Sequence, residues 1–441
     1  MTKKELLKTL IRDFQLREIP ALKPRKLEIP LHLNKVITLM GVRRSGKSSI
    51  LLQAIDTLRK TVPREQIVYL NFEDERLDLT ADELDLIVQA YRELYPEQDL
   101  SQCYFFFDEI QNLPKWELFI RRLDDSISRH LFITGSNSKL LGSEIATALR
   151  GRTLRYEVFP LSFTEYLGFQ GIATNWHASH SRALINRAFG QFLTQGGFPE
   201  VALLDDDSVR RKLLTEYFDV MIYRDLIERY QERNVQALRF FLRRCIEGVT
   251  SPLSVAKIHN ELKSAGFRIG KDTLHNYLEQ ANAIYLLMVA YKYDPSLVRR
   301  ELGDKKAYIV DNGLISALSW RAGQDKGKLL ENLVAMELRK QDLELLFVKG
   351  TQECDFVVQQ PNETWLPIQV CYEMGDPATR AREVAGLVAA CRFCGVRQGV
   401  IVTMDEEAEW LESNVAIKTL PAWKFLLTAM TGNQETVNQT V

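Results

Sequence analysis

The chain has 441 residues, of which 46% are hydrophobic and 26% charged, and its formal net charge is −1. That length suits roughly three domains of ordinary size, and the composition excludes a disordered or fibrous protein. Near-neutral charge excludes a globally basic surface, so any site for an anionic polymer has to be local. No apolar run approaches the roughly 18 residues that a membrane span needs. Six scattered cysteines give no disulfide framework, and the charged start Met1-Thr2-Lys3-Lys4-Glu5 contains no apolar signal core. A reducing cytoplasm without membrane contact is the expected setting.

Residues 1–30 predict a short helix and a linker, because Pro20, Pro24 and Pro30 obstruct regular structure. Over residues 31–160, strands are expected at 36–40, 66–72, 103–109 and 131–137, with helices at 47–60, 81–95 and 116–129. Such alternation predicts an α/β domain whose mainly parallel sheet is covered on both faces.

The first strand runs into Gly41-Val42-Arg43-Arg44-Ser45-Gly46-Lys47-Ser48-Ser49, a G-x-x-x-x-G-K-S loop that opens a helix. The glycines let successive N–H groups turn toward an anion, and the helix start aims its free N–H groups and dipole at the same point. Residues 41–49 are therefore expected to bind a nucleoside triphosphate, with Lys47 at the β- and γ-phosphates and Ser48 on Mg²⁺. A later aromatic strand ends in Asp108-Glu109, at the sheet edge where ligands of parallel sheets bind. Asp108 is expected in the Mg²⁺ shell, and Glu109 is expected to orient the attacking water. Thr134, Ser136 and Asn137 end the next strand, where a polar group would sense the γ-phosphate; turn chemistry accounts for Gly135-Ser136-Asn137 nearly as well. Arg150 and Arg152 are candidates for stabilising the leaving phosphate's charge, from the same chain or from a neighbour in an oligomer. Solvated surface arginines are the plain alternative.

Further segments carry a family likeness. They are Gly41–Ser48, Tyr69–Arg76 (YLNFEDER), Phe107–Gln111 (FDEIQ), Ile133–Ser136 (ITGS), Leu149–Arg152 with Pro160–Phe163, Gly196–Glu200 (GGFPE) and Tyr223–Ile227 (YRDLI). As a set they make the chain similar to a group of prokaryotic AAA-superfamily P-loop ATPases with a winged-helix segment and a C-terminal domain resembling restriction endonucleases. The resemblance implies ATP rather than GTP, in agreement with the absence of an N-K-x-D guanine motif.

Residues 161–250, rich in leucine and aromatics at helical spacing, are expected to form a helical lid on the nucleotide domain. Residues 251–319 read as a winged helix, with helices at 253–264 and 272–283 and wing strands at 284–291 and 306–310. Leu274, Tyr277 and Leu278 are expected inward, and Lys271, His275 and Asn276 outward beside Asp272 and Glu279. Arg299, Arg300, Lys305 and Lys306 are expected on the wing loop. That charge pattern suits protein docking about as well as DNA binding.

Residues 320–430 are expected to form a small restriction-endonuclease-like α/β domain, and 431–441 a flexible tail. In such domains a helix glutamate, a strand aspartate and a [D/E]-x-K assemble a Mg²⁺ site. Glu331 and Asp355 match the first two positions, but Gln369-Val370-Cys371 stands where a carboxylate and a lysine are wanted. The resemblance thus implies a degraded site, with Lys349 the candidate for a displaced lysine. Alternation is expected to aim Asp355 and Cys371 at that site and Cys354 away from it, and the cysteines at 354, 371, 391 and 394 read as core residues rather than a zinc site.

The expected function is a Mg²⁺-dependent AAA-type ATPase that couples ATP binding and hydrolysis to nucleic-acid or protein binding by its C-terminal domains. The rival readings are an ATP-gated nuclease with a variant PD-(D/E)XK site, a small-molecule phosphotransferase, and a slow ATP-dependent regulatory or defence switch.

Overall fold

The computed structural model describes residues 2–136, 151–360 and 363–429. The chain divides into two compact units, one reaching to Phe159 and including Ala283–Tyr285, the other comprising Pro160–Asn282 and the chain from Leu286 onward.

The first unit is built on five strands, β1 (Val36–Met40), β2 (Ile67–Asn71), β3 (Tyr104–Asp108), β4 (His130–Gly135) and β5 (Thr153–Glu157). Their order is β2-β3-β4-β1-β5 and every pairing is parallel. Val36-Ile-Thr-Leu-Met40 and Tyr104-Phe-Phe-Phe-Asp108 are buried along their whole length, as continuous apolar runs in a central parallel sheet must be. Helices α1 (Lys3–Leu16), α2 (Lys47–Leu58), α3 (Asp85–Leu94) and α4 (Trp116–Ser126) accompany them. Ile50, Leu51 and Ile55 of α2 bury against Ile37, Leu39, Phe106 and Phe132. Parallel order brings the C-terminal ends of β1, β3 and β4 to one edge, with β4 between the other two.

The N-terminal residues are not a free-standing element. Leu6, Leu7 and Ile11 of α1 are buried, and α1 packs on α3 and β2. The Gln15 side-chain amide donates to the Glu65 and Ile67 carbonyls, 3.1 Å in each case, anchoring the helix beside the outermost strand.

The second unit begins with α5 (Phe163–Phe169), α6 (Ser179–Gln195), α7 (Asp207–Val220), a π-helical stretch over Met221–Glu228, and α8 (Val235–Glu247). The expected lid is helical, and its residues group with this second unit. Next come α9 (Val255–Ser264), α10 (Lys271–Ala283), β6 (Leu287–Lys292), α11 (Leu297–Leu302) and β7 (Lys305–Ile309). Leu274, Tyr277 and Leu278 are buried, while Lys271, His275 and Asn276 are exposed. Helices α12 (Asn312–Leu318), α13 (Trp320–Gln324) and α14 (Lys326–Lys340) lead to β8 (Leu346–Lys349), β9 (Glu353–Gln359), β10 (Trp365–Val370), α15 (Pro377–Cys394), β11 (Gln398–Thr403), β12 (Ala408–Glu412), β13 (Val415–Pro421) and α16 (Ala422–Ala429).

Strands on both sides of the expected boundary at 319/320 belong to one sheet. The antiparallel pair β6–β7 continues a single eight-stranded sheet of order β12-β13-β11-β10-β9-β8-β6-β7. No helix among the described residues is long and apolar enough to cross a membrane.

The Gly196–Glu200 motif finds its physical reason in this unit. Asp311, just before α12, accepts hydrogen bonds from the Gly197 N–H (2.6 Å) and the Gly313 N–H (2.8 Å). Gly196 has φ 78° and ψ −167°, a region open essentially to glycine, and a Cβ there would lie 1.9 Å from Asp311 Oδ1. Asn312 extends the link by donating to the Leu193 and Leu329 carbonyls, 2.8 Å each. Burial pushes the Asp311 carboxyl up to about 6, against the pull of these hydrogen bonds.

Between the ordinary carboxyl range and about 6, the folded chain therefore holds a proton that the unfolded chain has released. Its contribution to stability falls as pH rises through that window. Thermal unfolding from pH 4 to 7 should show this slope, and Asp311→Asn should flatten it. Gly196→Ala should cost roughly 2–4 kcal/mol throughout, from backbone strain and lost hydrogen bonds. Wild-type stability in Gly196→Ala would contradict the fit described.

Candidate nucleotide site

The loop after β1 is closed down by its neighbours. Val158 donates its N–H to the Met40 carbonyl (2.6 Å), and a Cβ on Gly41 would lie 2.0 Å from the Val158 oxygen. Only glycine fits that approach. Arg44 (φ 67°) and Gly46 (φ 95°) then take left-handed conformations that curl the loop before α2. The Lys47 side chain is buried, and its ammonium donates to the Gly41 carbonyl (3.1 Å) and the Val42 carbonyl (3.2 Å). Those partners are neutral, so the loop holds a nearly dry cation beside the first N–H groups of α2. Ser45 is buried, Ser48 and Ser49 are half-buried, and Arg43 pairs with Glu73 at 2.6 Å.

The end of β3 supplies the opposing charge. Asp108 is fully buried; Thr134 of β4 donates its hydroxyl to Oδ1, Tyr69 of β2 donates to Oδ2 at 2.8 Å, and Ser48 also hydrogen-bonds the carboxyl. Burial raises the Asp108 pKa, while the Thr134 and Ser48 hydrogen bonds oppose that shift. Strand alternation would send Glu109 to the opposite face. Instead Glu109 leaves the strand in a left-handed conformation (φ 51°), and its Oε1 comes to 3.8 Å from the Lys47 ammonium. Its N–H donates to the Thr134 hydroxyl (2.8 Å), and Gln111 donates to its Oε2 (2.5 Å). Two consecutive carboxylates thus face one edge, Asp108 beside Ser48 and Glu109 beside Lys47. A hydroxyl and a carboxylate side by side are hard oxygen donors of the kind that Mg²⁺ takes together with phosphate oxygens.

Other expected site residues fall elsewhere. Ser136 is buried at the end of β4, but Thr134 is the hydroxyl bonded to both Asp108 and Glu109. Asn137 and Arg150 lie outside the described residues. Arg152 precedes β5, whose Thr153 is paired with Val36, the first residue of β1, whereas the phosphate loop follows the last. Five strand residues, about 16 Å, separate the two ends. The Arg152 guanidinium is bonded to Asp125 and lies 3.5 Å from Asp124, so it does not serve the site of its own chain.

One supporting residue has no counterpart in the sequence reading. Arg25, within the proline-rich stretch, is buried and donates from Nη1 to the Ser45 carbonyl and from Nη2 to the Phe159 carbonyl (3.0 Å). Gln53 of α2 holds the Arg25 backbone in place, accepting from its N–H at 3.0 Å. Only a lone arginine after Pro24 marks it in the sequence.

In the second unit Glu331 and Asp355 converge, with Glu353, around a lysine from another strand, and Gln369 accepts from the Asp355 N–H. Lys306 Nζ of β7 lies 3.2 Å from Glu331 Oε1, 2.7 Å from Glu353 Oε1 and 3.5 Å from Asp355 Oδ1. It is buried, not on a wing surface. Lys349, the expected displaced lysine, instead pairs with exposed Asp304 at 3.1 Å. Cys371 does not face the cleft: β10 ends at Val370, alternation lapses there, and Cys371 joins Cys354 and Cys391 in one apolar cluster. Burial raises all of these thiols, Cys371 to about 11 and Cys391 to about 12. Among the described residues, no group of three or more His, Cys, Asp or Glu could hold a metal ion.

Residues 33–167 match the AAA domain family AAA_14, and residues 186–325 and 326–423 match two domains of unknown function, DUF8612 and DUF4143. The uncharacterized protein MJ1544 of Methanocaldococcus jannaschii is 34% identical over 417 residues, covering 92% of this chain and 91% of that protein. The chain belongs to the MJ1544 family. A Haemophilus influenzae member is 31% identical over 342 residues, covering 77% of this chain and 82% of its own length. Among solved structures, the Walker-type ATPase paby2304 of Pyrococcus abyssi aligns with 64% of this chain and 90% of its own, at 16% identity and a TM-score of 0.41. In this MJ1544-family chain the first unit is accordingly an AAA-type P-loop ATPase domain.

Arg25→Ala should free the Ser45 carbonyl and loosen the phosphate loop, a loss of roughly 1.5–3 kcal/mol for charge-assisted hydrogen bonds. Titration with a fluorescent ATP analogue should show affinity weakened about tenfold or more, with helical circular dichroism unchanged. Unaltered affinity would contradict a supporting role.

Proposed function

We propose that the chain is a Mg²⁺-dependent ATPase whose nucleotide cycle governs macromolecular binding by its second unit. The carrying observation is the shared edge at which Lys47 and Ser48 meet Glu109 and Asp108, bridged by Thr134. ATP and Mg²⁺ are the cofactors this edge suits. The curled loop and the α2 N-terminus bind the phosphates, and the Lys47 ammonium takes the charge of the β- and γ-oxygens. Bound Mg²⁺ would screen the charge that builds up between those phosphates as the bond breaks. Ser48 and Asp108 would hold it, with Asp108 kept in place by Thr134 and Tyr69. Glu109, steadied by Gln111, accepts a hydrogen bond from the attacking water and orients it for in-line attack.

Lys47→Ala should abolish ATP binding. Glu109→Gln should keep binding but slow phosphate release by orders of magnitude, since positioning the water accounts for most of the catalysis. Both follow from equilibrium binding and phosphate release on the purified chain; a wild-type rate in Glu109→Gln would remove Glu109 from the mechanism.

The second unit is the proposed binding module, for DNA or for a protein. Lys271, His275 and Asn276 lie exposed on α10, whereas Arg300 is paired with Glu344 (2.9 Å) and Lys306 is buried. Less cationic surface remains than the sequence suggested. If DNA is the partner, affinity should fall steeply between 50 and 200 mM salt and Lys271→Ala should reduce that slope. Absent or salt-independent duplex binding would assign the surface to a protein.

A further inference from the structure

The restriction-endonuclease likeness implies a divalent cation between Glu331, Asp355 and the residue at 369. The residues present do not fit one. Glu331, Asp355 and Gln369 are each engaged by protein donors or acceptors. Glu331 Oε1 accepts from the Tyr308 hydroxyl at 2.8 Å and from Lys306. Asp355 Oδ2 accepts from the Val370 N–H at 2.9 Å. Gln369 spends both ends of its amide, accepting from the Asp355 N–H (3.3 Å) and donating to Glu383 (2.5 Å).

Asp355 Oδ1 and Glu353 Oε1 meet the Lys306 ammonium, as Glu331 Oε1 does. A lysine has three N–H donors and no acceptor. Three carboxylates, those of Glu331, Glu353 and Asp355, surround Nζ at 3.2, 2.7 and 3.5 Å. The Phe347 ring lies 5.4 Å below it, a further contact that favours a cation. Burial alone would lower the Lys306 pKa, but Glu331, Asp355 and Glu353 together outweigh it and raise the pKa above the free value.

The location explains why a charge is kept here. Strands β6 and β8 pair only at Tyr291↔Leu346 and Lys292↔Phe347, so the eight-stranded sheet is weakly joined between β7 and β9. Lys306 spans that join from β7 to Glu353 and Asp355 of β9, and to Glu331 of α14.

We propose that Lys306 is the resident cation of this cleft, an ammonium standing where a divalent metal would otherwise sit, so that the second unit closes its carboxylate site internally and carries no metal-dependent phosphodiesterase chemistry. The same contacts run against the nuclease alternative. A metal would have to displace a buried ammonium from three carboxylates, and a lysine so engaged has no freedom to activate water.

The test uses the full chain without nucleotide, titrated with Mn²⁺ by calorimetry and by electron paramagnetic resonance. Wild type and Asp355→Asn should bind Mn²⁺ alike, because the cleft takes none. Lys306→Met should gain one site at least tenfold tighter than any in wild type, and Lys306→Met/Asp355→Asn should lose it. Should Lys306→Met fold poorly, the wild-type and Asp355→Asn comparison still decides. Mn²⁺ binding, or Mn²⁺-dependent DNA or RNA cleavage, that wild type shows and Asp355→Asn lacks would overturn the proposal. So would a folded Lys306→Met that gains no site. These readouts need no ATP, so their failure is distinguishable from failure of the ATPase proposal.

Discussion

A carboxylate buried at the end of a central strand has to be hydrogen-bonded from its surroundings, and the first unit is arranged around that requirement for Asp108. Thr134 meets it because β4 lies between β1 and β3, in register with Leu39 on one side and with the end of β3 on the other. The same hydroxyl accepts the Glu109 N–H, and so fixes the left-handed turn that carries the second carboxylate toward Lys47. Turn and charge placement thus meet at one side chain, which the strand order positions. The surrounding devices keep the edge rigid: Gly41 admits Val158, and Arg25 holds Ser45 from behind.

The two units place a buried lysine beside carboxylates to opposite effect. Lys47 gives hydrogen bonds to neutral carbonyls and stands 3.8 Å from Glu109, so much of its charge is left for an anionic ligand. Lys306 faces three carboxylates and leaves no charge to offer. A buried ion pair is weak evidence of net stability, but removing one partner strands the others, which makes such a cluster hard to dismantle. Asp311, a buried carboxylate held by backbone N–H groups, stays sensitive to pH.

Much of the first unit was legible because its signals are local. A glycine loop between an apolar strand and a helix, and an aromatic strand ending in two acids, specify their own geometry. The orientation of Arg152 was not legible, because it depends on β5 adding to the sheet parallel to β1 and beginning at the far edge. Arg25 sits in irregular chain, where no periodicity marks a buried residue. Lys306 lies on a strand that resembles a wing, and only the continuation of that strand into the eight-stranded sheet brings it to Asp355. Cys371 was misplaced by one residue of strand, since alternation says nothing past Val370. The helices of 163–247 were recognised as helices, but which unit they cover depends on long-range contacts such as Gly197 to Asp311.

The central claim is that the edge formed by β1, β3 and β4 hydrolyses ATP through carboxylates held by this scaffold. Single-turnover phosphate release from Mg²⁺-ATP, with no acceptor added, tests it most directly when wild type is set beside Asp108→Asn. The account predicts release by wild type and a rate lower by orders of magnitude in Asp108→Asn, with ATP still bound. Equal rates in the two proteins, or no release by wild type until a small-molecule acceptor is supplied, would contradict it.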